Sequence, residues 1–233
     1  MTIGQLCTAG AILICYDEAM DSIGKGAQYK VIDTHDGRVR KIPLTLEESR
    51  EVIAGWYAPR PIPVELTVSK YRQQAILSAN KVGDLLGEHP ELRASFGNPA
   101  FETEGVYTQD KLMTLGQALR AASDTNARQL IDAYARLIVR HWRYGISERV
   151  FNCTVNNGVD EKGEIVLLDF GEITSNKDKV IRAIQAKRWL RSYSFREDMS
   201  PMLQAYYADA MAERLTIPVL ESTWRKAIDV KKP

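Results

Sequence analysis

The chain has 233 residues, 45% of them hydrophobic and 26% charged. That is the balance of a globular protein long enough to bury a core without disulfide or metal staples. Its 31 Lys and Arg nearly cancel its 30 Asp and Glu, for a formal net charge of +1, so a nucleic-acid partner, which calls for a basic excess, is not expected. Cys7, Cys15 and Cys153 are odd in number and lack CxxC spacing. They argue against a disulfide framework or a zinc ribbon and fit reduced thiols in the cytoplasm. The longest apolar run, Ala9–Tyr16, falls well short of the ~20 residues of a membrane span. No Lys or Arg precedes it as in a signal peptide, and no membrane partner is expected.

In chain order, Tyr29–Asp33 and Arg38–Leu44 read as two strands joined by Thr34-His35-Asp36-Gly37, whose Asp-Gly is a hairpin signal. Thr45-Leu46-Glu47-Glu48 is a capping box opening a helix that ends near Gly55. Pro59, Pro61 and Pro63 then form an extended connector. Tyr71, Ala75, Ser78, Val82 and Leu85 recur at helical spacing over 66–86, with Gly87 as the expected C-cap. Residues 95–115 lack that period and are expected to hold one or two strands. A long helix follows from Thr125 to Trp142, with Ile131, Tyr134, Leu137 and Ile138 on one face. Residues 163–169 form a strand. Helices over 176–192, 201–214 (Ser200 as N-cap, Pro201 in the first turn) and 218–228 close the chain. The order is β-rich, then helix-rich, without βαβα alternation. It predicts an α+β protein of two lobes, residues 1–117 and 118–233.

The stretch richest in chemistry runs from Asn156 to Gly171. Asp160 to Gly163 is a tight turn and Ile165–Leu168 a buried strand, with Asp169 leaving its end and Gly171 allowing a sharp bend. A carboxylate at the end of a hydrophobic strand is poorly solvated unless it meets a cation. Asn156, one hairpin away, offers a neutral oxygen to the same ion, and hard oxygen donors suit Mg²⁺.

This pattern of Asn, hairpin and Asp169-Phe170-Gly171 resembles the protein-kinase-like superfamily, with its catalytic-loop Asn and metal-binding DFG motif. The N-terminal half carries a second part of the resemblance. Gly24-Lys25-Gly26-Ala27-Gln28-Tyr29-Lys30-Val31 fits GxGxxGxV except at Tyr29, and Val39-Arg40-Lys41 looks like the A-x-K motif. The resemblance spans roughly residues 20–172. It implies a two-lobed protein-kinase-like fold, with a small β-rich N-lobe and a truncated helical C-lobe, using ATP and Mg²⁺. Gly24 and Gly26 would cover the phosphates, Val31 and Val39 would belong to the nucleotide-binding set with Val39 against the adenine, and Lys41 would reach the α and β phosphates. Asn156 and Asp169 would hold the metal.

The chain departs from the family at three places. Phe151 stands where the catalytic Asp belongs, five residues before Asn156, in Glu148-Arg149-Val150-Phe151-Asn152. Glu148 or Asn152 are the candidate replacements, so the catalytic set is Asp169, Asn156, Lys41 and Asn152. The 66–86 helix carries Gln73 and Gln74 but no Glu, which leaves Glu47, Glu48, Glu51 or Glu65 to pair with Lys41. After Gly171 there is no room for an activation segment. Elsewhere the plain readings hold: Glu172 exposed, His141 a packing or helix-dipole residue, Cys153 buried and inert, Trp142, Tyr144, Trp189 and Tyr193 in the core. The expected function is Mg·ATP-dependent phosphoryl transfer to a small molecule. A positioned base is worth ~10²–10⁴-fold, so its loss would slow such an enzyme without removing its other parts. The alternative is a pseudokinase, a nucleotide-binding or non-catalytic regulatory module with a protein partner.

Overall fold

A computed structural model describes residues 22–26, 28–57, 64–191 and 198–224. The apolar run at 9–16, the proline connector, Tyr193 and the last residues of the 218–228 helix lie outside the described residues.

Alternating half-buried residues build the first sheet. Strands β1 (Ser22–Lys25), β2 (Tyr29–Asp33) and β3 (Arg38–Pro43) follow one another, and the Asp36-Gly37 turn, with Gly37 at φ 82, joins the last two. The capping box is formed: Thr45 N–H donates to Glu48 Oε2 at 2.9 Å and Glu48 N–H to Thr45 Oγ1 at 3.1 Å, opening α1 (Leu46–Tyr57). Helix α2 (Val64–Glu88) runs through Gly87, so the expected cap is not there. Pro90 stops it instead, because the residue before a proline is pushed out of the helical region. A 3-10 turn, Pro90–Phe96, ends on Gly97 at φ 68.

Three short strands then replace the one or two expected: β4 (Ala100–Phe101), β5 (Tyr107–Asp110) and β6 (Met113–Thr114). Helix α3 (Leu115–Ala121) straddles residues 117 and 118. Helix α4 (Asp124–Trp142) buries Ile131, Tyr134, Leu137 and Ile138 as the spacing predicts. After it come β7 (Ser147–Glu148), the one-turn α5 (Cys153–Asn156), β8 (Asn157–Val159), β9 (Ile165–Leu167) and β10 (Ile173–Thr174). The helix expected over 176–192 is two pieces, α6 (Lys177–Gln185) and a 3-10 turn at Arg188–Arg191. Lys187, at φ 44, breaks it and turns Trp189 into the core. Helix α7 (Pro201–Arg214) is capped by Ser200, and α8 (Ile217–Thr223) follows.

The fold is α+β. Its largest sheet is antiparallel in the order β1-β2-β3-β5-β4. Directly opposed residues share a face, and the register opposes Gly24 to Val31, Val31 to Lys41 and Lys41 to Tyr107, with Val39 between Asp33 and Gln109. One face therefore carries Gly24, Val31, Val39, Lys41, Tyr107 and Gln109. A hydrophobic cluster continuous from Tyr29 to Leu220 lies beneath it. A ladder of rings crosses that core: His141 stacks on Phe96 (4.9 Å), Phe96 meets Phe170 edge-on (5.6 Å), Phe170 stacks on Tyr107 (4.6 Å) and Tyr107 meets Tyr29 (5.5 Å).

His141 is thus a packing residue. Its Nε2 lies 3.4 Å from Ser95 Oγ, and burial, followed by the nearby Arg140, depresses its pKa from 6.5 to about 3. A neutral ring adds nothing to the helix dipole. In the unfolded chain this imidazole binds a proton near pH 6.5, while the folded chain resists it down to about 3, so stability falls as pH drops through that window. Replacing His141 with Gln should flatten the fall. The difference between urea midpoints at pH 7 and pH 5 should shrink relative to wild type, and an unchanged difference would refute the assignment.

Candidate nucleotide site

Lys41 occupies the middle of β3, opposed on one side to Val31 and on the other to Tyr107, so its side chain enters the protein from the inner sheet face. It is 8% exposed, and its Nζ donates to Leu168 O at 2.8 Å, 5.9 Å from the centre of the Tyr107 ring. Burial lowers its pKa, and the Asp169 carboxylate opposes that effect. The carboxylate whose field reaches Lys41 is Asp169's, while Glu48 serves the capping box and Glu65 pairs with Arg50 at 2.7 Å.

Asn156 and Asp169 are joined by the main chain. The Asn156 carbonyl accepts the N–H groups of both Leu168 (2.7 Å) and Asp169 (3.0 Å) at the open end of the β8–β9 hairpin. Asp169 is half-buried and its Oδ1 accepts Gly171 N–H at 2.9 Å. The Asn156 side chain is buried, with Nδ2 donating to Glu148 Oε1 at 2.9 Å. Lys41, Asn156 and Asp169, far apart in sequence, therefore meet on one peptide unit, Leu168–Asp169. Among the described residues no group of three or more His, Cys, Asp or Glu side chains gathers as a metal site. Two oxygens from Asn156 and Asp169 suit a Mg²⁺ that takes its other ligands from phosphates and water.

Gly24, in the glycine loop, lies on the same face. Gly26 N–H donates to Tyr29 O at 3.0 Å, closing the turn between β1 and β2. Neither Gly24 nor Gly26 has a left-handed φ, and an added Cβ would meet nothing within 4 Å at Gly24 and only Tyr29 O, at 3.9 Å, at Gly26. Among the described residues, packing does not require their bare backbone. Tyr29, the departure from the glycine pattern, is absorbed by the core, where its hydroxyl donates to Ala75 O at 2.9 Å. Val31 is half-buried and Val39 buried. Asn152 enters the site through its backbone N–H, 2.8 Å from Glu148 Oε1. Phe151 is fully buried at φ 52 and meets Trp189 edge-on.

One sequence expectation is corrected here. Glu172 is not exposed: its side chain is 15% accessible and it binds Arg149, whose Nε lies 3.0 Å from Oε2. Burial raises its pKa and Arg149 opposes the rise. Gly171 lies in a turn without a left-handed φ, and what requires its missing side chain is packing. A Cβ there would lie 1.5 Å from Gln28 Oε1. Gln28, unremarked in the sequence, is buried between β1 and β2 and donates from Nε2 to Gly171 O at 3.3 Å. Its signal was its place inside the glycine loop. Ser78 Oγ on α2 lies 3.5 Å from the same carbonyl and accepts from Gln74 Nε2 at 3.1 Å. Beside this contact is a cavity of about 140 Å³ lined by Gln28, four α2 residues, Arg149 and Glu172. It is smaller than the ~300–1,000 Å³ of ordinary ligand sites. Cys153 is buried and its thiol is pushed up to about 12 by burial, consistent with an inert side chain.

No family model matches the chain, and no curated protein matches it. Among solved structures it is similar to the complex of Rv3197 with erythromycin from Mycobacterium tuberculosis, with a TM-score of 0.43 and 13% identity over 83% of this chain and 53% of that one. The chain thus spans about half the length of that protein. Among the described residues no helix is long and apolar enough to cross a membrane.

The close approach at Gly171 is testable by unfolding. Gly171→Ala should cost ~1–3 kcal/mol by overpacking against Gln28, and most of that cost should vanish in a Gln28→Ala background. Urea denaturation of the two single variants and the double variant checks this, and strictly additive losses would refute it.

Proposed function

We propose that the chain is a Mg²⁺- and ATP-binding phosphotransferase of two-lobed protein-kinase-like fold, acting on a small-molecule acceptor. The observation that carries this reading is the convergence of Lys41, Asn156 and Asp169 on the Leu168–Asp169 peptide, with Gly24, Val31 and Val39 in register on the same sheet face. In this role Val31 and Val39 offer an apolar surface to the base, and the bare backbone of Gly24 and Gly26 lets phosphate oxygens approach. Lys41 has one N–H committed to Leu168 O and two left for phosphate. Asp169 and Asn156 supply oxygens for Mg²⁺, which when bound would neutralise charge between phosphates. Orientation and charge neutralisation are most of what phosphoryl transfer asks of a protein.

One observation favours a second reading, a pseudokinase that binds nucleotide and regulates a partner. The position of the expected base is Phe151, fully buried, and the Glu148 carboxylate is engaged inside the fold by Tyr134, Asn152 and Asn156. Both readings predict ATP binding, and they part on turnover.

Thermal unfolding with ATP, with and without Mg²⁺, tests the site. Ligand at a hundred times its dissociation constant adds ~2.7 kcal/mol, about 5–10 °C for a chain of this size. The shift should need Mg²⁺ and disappear in Asp169→Ala. No shift at millimolar ATP would sink the nucleotide reading. With binding established, release of label from γ-labelled ATP supports the enzyme, transfer of α-label supports movement of AMP on the same fold, and neither supports the regulatory module.

A further inference from the structure

Glu148 lies on β7, eight residues before Asn156, and is 4% exposed. A carboxyl group so deeply buried is costly unless donors meet it. Three do: the Tyr134 hydroxyl reaches Oε2 at 3.0 Å, while the Asn152 N–H and Asn156 Nδ2 reach Oε1 at 2.8 and 2.9 Å. Its backbone is fixed as well, because β7 pairs with β10, where Glu148 faces Ile173 just beyond the Asp169 turn.

The consequence for Asn156 is directional. A side-chain amide carries its donor and its acceptor on opposite edges. With Nδ2 held on Glu148 Oε1, the Asn156 Oδ1 edge is turned away from β7. The reversed amide would set two oxygens against each other at the same separation. Nor does the orientation depend on whether Glu148 is ionised. Oε1 also accepts a backbone N–H, which can only donate, so any proton sits on Oε2, where the Tyr134 hydroxyl can turn to accept it. The Asn156 main chain is fixed independently through its carbonyl, which holds Leu168 and Asp169. Backbone and side chain of one residue are thus tied to two different strands.

Resting on the nucleotide-site reading above, we propose that Glu148 is a positioning residue: it orients the Asn156 amide so that Oδ1, together with Asp169, can hold the divalent cation of the bound nucleotide. Groups that orient metal ligands are worth about 10–100-fold in metal affinity. Nothing in the sequence marks Glu148 for this, because it occupies neither the catalytic-loop Asn nor the expected base position.

The readout is the factor by which Mg²⁺ strengthens ATP binding, measured by calorimetry on the full chain, beside a melting curve for each variant. Glu148→Leu, which removes the acceptor at similar volume, should reduce that factor by about 10–100-fold. It should cause no further reduction in an Asn156→Ala background. A merely structural Glu148 would lower the melting temperature and leave the Mg²⁺ factor within about twofold, and that outcome overturns the proposal. So do reductions from the two sites that multiply. Should Glu148→Leu fail to fold, Glu148→Met, which also lacks the acceptor oxygen, carries the same comparison: a reduction lost in Asn156→Ala supports the role, and an unchanged factor refutes it. A wild-type chain whose ATP affinity ignores Mg²⁺ overturns the nucleotide site and Glu148's role with it. A responsive wild type beside an equally responsive Glu148→Leu overturns the positioning role alone.

Discussion

The peptide unit between Leu168 and Asp169 is the constraint on which the rest of the site depends. Its carbonyl side takes the Lys41 ammonium from β3, and its amide side, with the neighbouring Leu168 N–H, is held by the Asn156 carbonyl. Burying an ammonium costs on the order of several kcal/mol unless other groups replace its water. Here a carbonyl at 2.8 Å, the face of Tyr107 and the field of Asp169 do so. None of these belongs to the same segment as Lys41. The lysine is therefore stable in its place only when the sheet, the β8–β9 hairpin and the Asp169 turn are assembled together.

A second set of contacts closes the arrangement from the glycine loop. Gln28 and Ser78 converge on the Gly171 carbonyl, so the loop between β1 and β2, helix α2 and the turn after Asp169 share one acceptor. The space that lets them do so is the missing side chain at Gly171, where a Cβ would collide with the Gln28 amide. Between the two clamps sits Phe170, fully buried, stacked on Tyr107 and edge-on to Phe96. Asp169 and Gly171 are thus fixed by polar contacts and Phe170 by aromatic ones, and alternation along three successive residues divides the work. The turn has little freedom to move without breaking one of these contacts.

Local patterns in the sequence were legible wherever local physics decides the outcome. The β2–β3 hairpin follows from Asp36-Gly37, the start of α1 from the Thr45–Glu48 box, and the buried stripe of α4 from its spacing. What could not be read were contacts made across large sequence separations. The burial of Glu172 depends on Arg149, 23 residues earlier, and the need for glycine at 171 on Gln28, 143 residues earlier. Gly87 failed as a stop because the helix runs through it and ends only ahead of Pro90, and Lys187 broke a helix that periodicity would continue. Of the candidate site, the set Gly24, Gly26, Val31, Val39, Lys41, Asn156 and Asp169 was named from the family resemblance that their motifs carry. The orienting contact from Glu148 was not, since a lone glutamate on a two-residue strand carries no pattern.

Phe151 stands where the resemblance leads one to expect a carboxylate. A phenylalanine at φ 52 is strained by roughly 1–3 kcal/mol, and the strain is sustained because the ring is fully buried and packed on Trp189, itself placed by the break at Lys187. The pocket at residue 151 is apolar, so a carboxylate there would be desolvated and would face the core. The backbone turn at that residue has another use, since it brings the Asn152 N–H onto Glu148 and starts the α5 turn that ends at Asn156. In this chain the segment before Asn156 is organised to orient the asparagine and contains no side chain aimed to take a proton from an acceptor. An enzyme built on it would draw its rate from positioning and charge neutralisation, and a regulatory module built on it would keep the same geometry for binding. The residue that departs from the expected catalytic loop therefore leaves the contacts joining Lys41, Asn156 and Asp169 intact.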